Sequence, residues 1–186
     1  MTRPFRHPIG FDTLEAFCHP DPAHIYHRPA MLPTGDAFAC NTWIALRCHN
    51  GLWASSDFAE APAGHAERVA LIPFSPFPPP GNRWISLEGH RGKIYAEKID
   101  PIFDSAHRVI SGPIVNLLGF VIPLGMLQQL MRLPRFEFAA DPGHTSYLCG
   151  RFNGGIAILS CVKGNPHISM TIDPIFRDHT GREIKR

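Results

Sequence analysis

The pentapeptide Ile-Asp-Pro-Ile-Phe occurs twice, at 99–103 and at 172–176, and each copy closes a run of strand-like segments. Repetition on that scale marks one supersecondary unit used twice, so the chain is constrained first as a scaffold. The second copy ends the most legible stretch, Phe120 to Phe176. There Leu124, Leu127, Leu130 and Met131 fall at helical spacing on one face, with Gln128, Gln129 and Arg132 on the other. Pro123 suits the first helical position, and Pro134 disfavours helix just before it, which predicts an end near Leu133. Phe136 and Phe138 then alternate with Glu137. Asn153-Gly154-Gly155, between Tyr147–Phe152 and Ile156–Val162, is a hairpin signal. Lys163-Gly164-Asn165-Pro166 makes the next turn, and Ile168, Met170 and Ile172 alternate with Ser169 and Thr171. The unit reads as helix, strand, hairpin, strand, in antiparallel order.

Upstream the signals are shorter. Phe11 to Cys18 predicts a small helix with Asp12 as its cap and Leu14 and Phe17 as apolar contacts. His24 to Leu32 reads as a strand broken at Pro29. Ala37 to Cys48 is the clearest strand of the first half, with Ile44, Leu46 and Cys48 facing one way and Trp43, Ala45 and Arg47 the other. Five prolines between Pro73 and Pro80 exclude regular structure there. Trp84 to Glu88 and Lys93 to Ile99, joined at Gly89-His90-Arg91-Gly92, predict a hairpin leading into the first Ile-Asp-Pro-Ile-Phe. The resulting division is a first half-module at 1–53, a proline-rich insertion at 54–82, and a hairpin with a second unit at 83–186.

Nineteen prolines and sixteen glycines exclude an all-helical fold, and 44% hydrophobic against 18% charged residues is a globular balance. A net charge of +2 demands no polyanionic partner, although a local basic face is compatible with it. The N-terminus, MTRPFRHPIG, lacks the apolar core of a secretory signal, and the five cysteines form no CxxC pair. They read as reduced thiols of a cytoplasmic protein. Val109 to Met131 carries no charge and is long enough to cross a bilayer. Its prolines, glycines, Asn116 and the Gln128-Gln129 pair fit a strand and a short helix better. The fold class is therefore α+β, with antiparallel sheets and few short helices.

This order of elements resembles the bacterial DNA-polymerase sliding clamp of the β-clamp type. Val121-Ile122-Pro123 before the Leu127-to-Leu133 helix is similar to that family's valine-isoleucine-proline step into a helix. Ile99-Asp100-Pro101-Ile102-Phe103-Asp104, followed by His107-Arg108-Val109-Ile110, is similar to its Asp-Gly-x-Phe-Pro-Asp-Tyr-x-x-Val segment. His24-Ile25-Tyr26 through Ala45 looks like its strand pair, and residues 54–82 lie outside the likeness. The resemblance implies a non-enzymatic, DNA-associated accessory protein without a cofactor, self-associating as a homo-oligomer through a sheet edge. It also implies a partner-peptide surface at Thr42, Trp43 and Ala45. The family's subunit has three modules, and this chain has room for fewer.

Residue chemistry gives few competing sites. Arg132, Arg135 and Lys163 are the candidate contacts to double-stranded DNA, extended by Arg3, Arg6, Arg182, Lys185 and Arg186. Scattered surface charge is the bland alternative. His24 and His27 would point to opposite faces of a strand, so locally bonded histidines are expected there and no metal site. Asp104 and His107 could serve a small hydrolase or transferase, but they read equally as a turn-capping pair. No serine or cysteine stands in a nucleophile elbow, and neither glycine pair precedes a helix as a phosphate loop would. A protein-binding module or inhibitor without DNA contact is the other class left open.

Overall fold

Gly10, extended at φ −84 and ψ 165, starts helix α1 (Phe11–Glu15) by accepting the N–H groups of Thr13 and Leu14 at its carbonyl. Asp12 therefore lies in the first turn instead of capping it, and Leu14 is buried. The computed structural model describes residues 9–49, 58–60, 84–86, 97–103, 109–117, 120–139, 147–160, 162–163 and 175–177. The predicted strand from His24 is mostly turns, and only β1 (Ala30–Met31) is extended. Gly35, at φ 82, turns the chain into β2 (Ala37–Cys40). The single strand predicted for Ala37–Cys48 breaks because Asn41 Oδ1 accepts the N–H groups of Trp43 and Ile44, at 2.8 and 2.7 Å. That side-chain turn offers the backbone an alternative to the ladder. The strand resumes as β3 (Ile44–Cys48).

The remaining strands are β4 (Ala59–Glu60), β5 (Trp84–Ser86), β6 (Glu97–Phe103), β7 (Val109–Leu117) and β8 (Phe120–Pro123), then β9 (Glu137–Ala139), β10 (Tyr147–Phe152), β11 (Gly155–Ser160), β12 (Val162–Lys163) and β13 (Ile175–Arg177). Between β8 and β9 lies helix α2 (Leu124–Leu130). Pro123 is its N-cap, so the helix starts at Leu124, one residue later than predicted. The described strands form two sheets, β13-β5-β9-β10-β11-β3-β2-β1-β4 and β12-β8-β7-β6. Every pairing is antiparallel except β1 with β4. Two largely antiparallel sheets and two short helices among the described residues fit a mostly-β or α+β class.

Two local expectations give way to longer-range pairing. β5 does not pair with β6; it lies between β9 and β13 in the larger sheet, whereas β6 pairs with β7. The two Ile-Asp-Pro-Ile-Phe copies accordingly have different surroundings. The first lies in β6, where the register slips between Ile99 and Ile102 so that Asp100-Pro101 opposes Ser111 alone. Such a bulge accommodates a residue with no N–H to offer the ladder. Of the second copy, Ile175 and Phe176 lie in β13, opposite Ser86 and Ile85, and the rest falls outside the described residues.

The core fills the space between the sheets. Ile44, Leu46, Cys48, Ile85, Phe138, Leu148, Ala157 and Leu159 of the larger sheet pack with Val115, Leu117, Phe120 and Ile122 of the smaller one. Seven residues are too few for α2 to persist alone; Leu127 and Leu130, fully buried in the same cluster, hold it there. β11 and β12 are separated by one residue yet belong to different sheets, so this stretch passes from one layer to the other. Among the described residues no helix is long and apolar enough to cross a membrane.

Candidate nucleic-acid interface

The turn leaving α2 is fixed at both ends by its own backbone and by burial. Met131 N–H donates to Leu127 O, Arg132 N–H to Gln129 O and Leu133 N–H to Leu130 O, winding the chain past the helix end. Leu133 and Phe136 are buried, and the Pro134 carbonyl accepts the N–H of Asn153 at 2.8 Å, tying the turn to the β10–β11 hairpin. Arg132 and Arg135 are the exposed residues between these anchors. Arg135 has φ 55, a left-handed conformation that costs a side-chain-bearing residue on the order of 1 kcal/mol. Neither arginine has a carboxylate partner among the described residues.

Two arginines of the larger sheet, Arg47 and Arg151, are neutralised. Arg47 lies on β3 with Nε 2.7 Å from Asp36 Oδ2. Arg151 lies directly across from Glu137 on the β9–β10 ladder, with Nε 2.8 Å from Glu137 Oε2. Its guanidinium also sits 4.0 Å from the centre of the buried Trp84 ring. Lys163 is opposite Phe120 in the smaller sheet. Arg132 and Arg135 thus share one turn, and Lys163 belongs to a different element.

Thr42, Trp43 and Ala45 occupy the β2–β3 hairpin but do not share one surface. Thr42 is exposed at the tip, Trp43 is half-buried against the main core, and Ala45 is buried on the opposite face of the sheet. Asp104 and His107 lie outside the described residues.

His19, His24 and His27 form a local structure. His19 and His24 stack with centroids 3.9 Å apart and planes at 21°. His27 Nδ1 donates to the His24 carbonyl at 2.7 Å. Among the described residues no group of three metal-ligating side chains converges. Burial pushes the thiols up, Cys18 to about 11 and Cys40 and Cys48 to about 12, which keeps them protonated and poorly nucleophilic at neutral pH. The His19–His24 stack was not apparent from spacing alone, although Pro20 and Pro22 between the two rings are the turn formers that fold one back on the other. No family model, curated protein or solved structure matches this chain.

Proposed function

We propose that the protein is a non-enzymatic, DNA-associated accessory protein on a scaffold of the sliding-clamp kind, with Arg132 and Arg135 meeting the phosphate backbone of duplex DNA. What supports this reading is the contrast among its arginines. Arg47 and Arg151 on the sheet are matched to carboxylates, whereas the two on the turn after α2 are exposed and have no carboxylate partner among the described residues. Free guanidinium groups on an anchored turn bind phosphate without reading bases. The bonds at Leu133 and Pro134 lower the ordering cost of binding. Lys163 is the third candidate contact.

The test is the salt dependence of binding to a mixed-sequence duplex, followed by fluorescence anisotropy between roughly 50 and 200 mM salt. The wild type should lose affinity as salt rises. Arg132→Glu/Arg135→Glu should weaken binding and flatten the log–log slope by about two, one unit for each lost phosphate contact. A wild-type slope near zero would reject the DNA reading. It would leave the second reading, a protein-binding module, which the exposed Thr42 on a hairpin tip held by Asn41 favours.

A further inference from the structure

Residues 19–27 contain a pair of bonds that only uncharged imidazole can make. His19 Nδ1 accepts the N–H of Asp21, and His24 Nδ1 accepts the N–H of Tyr26, both at 3.2 Å. A ring nitrogen that accepts must carry a lone pair, so each ring holds its proton on Nε2. The two rings are also stacked. His19 N–H donates to the Tyr26 carbonyl at 2.8 Å, which closes the loop around the stack. Tyr26 in turn rests its ring on Phe38, with centroids 6.1 Å apart, and packs against Leu32, Phe38, Ala45, Ile156 and Ile158 on the outer face of the larger sheet.

We propose that this loop is an acid-released clasp: proton uptake by His19 and His24 opens it and lifts Tyr26 from the apolar patch on the outer face of the sheet. An imidazolium donates at both nitrogens, so protonation turns each Nδ1 acceptor into a donor facing an N–H. It also sets two positive charges in face-to-face contact. The bond from His27 Nδ1 to the His24 carbonyl survives protonation, because there the ring donates. The other titratable or charged groups of the loop are Asp21, Tyr26, His27 and Arg28, with Glu15 and Cys18 just before it in sequence and Cys40 of β2 beside Cys18. Asp21 Oδ1 is engaged by the Ala23 N–H, at 2.9 Å. A carboxylate can accept from an imidazolium but cannot restore a lost Nδ1 acceptor. Ile25, 55% exposed on the same loop, adds an apolar side chain beside the patch that opening uncovers.

The clasp is tested by amide hydrogen exchange at Asp21 and Tyr26, expressed as protection relative to the unfolded rate, from about pH 8 to about pH 5. Protection of both amides should fall at least about tenfold as the pH drops, with an apolar dye binding over the same range. In His19→Asn/His24→Asn the amide oxygen can accept the same N–H in an Asx-turn and takes up no proton. That variant should stay closed and bind no dye. Unchanged wild-type protection across the range would overturn the proposal, as would acid opening of the asparagine variant to the wild-type extent. If the variant does not fold, ring nitrogen shifts of the wild type decide: an Nδ1–H tautomer on either ring at pH 8 overturns it.

Discussion

The two faces of the nine-stranded sheet are built on different principles. Toward the smaller sheet, the rows Ile85–Phe138–Gly150–Ala157–Leu46–Ala39 and Leu148–Leu159–Ile44 are wholly apolar and closed by α2. Away from it, the row Ser86–Glu137–Arg151–Ile156–Arg47–Phe38 alternates charge with hydrocarbon, and each arginine has its carboxylate. The inner face gains stability from volume and shape. The outer face gains register, because a slip of one residue would strand both ion pairs.

The strongest blow to this contrast is a cavity on the inner side. Phe138→Ala should cost about 3–5 kcal/mol in denaturant unfolding; a loss no larger than that of an outer-face ion pair would erase the distinction. Shape comes next. A Cβ at Gly155 would run into the Arg47 carbonyl and the Phe152 ring, so Gly155→Ala should cost about 1–3 kcal/mol by the same assay.

Alkali probes the thiols on both faces. Cys48 and Cys40 are raised from 9.0 to about 12, so the unfolded chain gives up those protons first. Their contribution is whole below about pH 9 and is lost as pH rises toward about 12, by about 1 kcal/mol for each thiol near pH 10. Flat stability over that window would contradict their burial. On the outer face, Glu137→Gln should cost only about 1 kcal/mol, because Arg151 keeps partial exposure and its Trp84 contact; a double-mutant cycle with Arg151→Met isolates the pair. Smallest of all, Arg132→Glu/Arg135→Glu should shift stability by less than about 0.5 kcal/mol while changing duplex binding.

Local chemistry was readable where it was self-contained. The alternation of Ile44, Leu46 and Cys48 against Ala45 and Arg47 holds, but Trp43, expected beside Ala45, packs on the main core because the Asn41 turn takes it out of the strand; the Asn153-Gly154 turn holds, with Gly154 at φ 105. Of the leucines predicted for the inner face of α2, Leu127 and Leu130 are buried and Leu124 is half-buried. Partner choice was not readable: nothing in Trp84–Ser86 says that it will join Glu137–Ala139 and Ile175–Arg177 instead of its neighbour in sequence. Pairing energy lies in side chains that meet only after the chain has closed long loops. The same limit applies to the candidate interface. Exposure of Arg132 follows from helix periodicity, but its lack of a counter-charge depends on register, which gives Glu137 to Arg151. The broken strand at Asn41 needed its neighbours' N–H directions, which composition does not carry.

The passage of one stretch of chain from β11 into β12 has a mechanical meaning. Peeling either layer away pulls on the other through a one-residue connection and exposes the core that both share. A calorimetric trace should show a single peak, and tension applied across that connection should bring both layers down together.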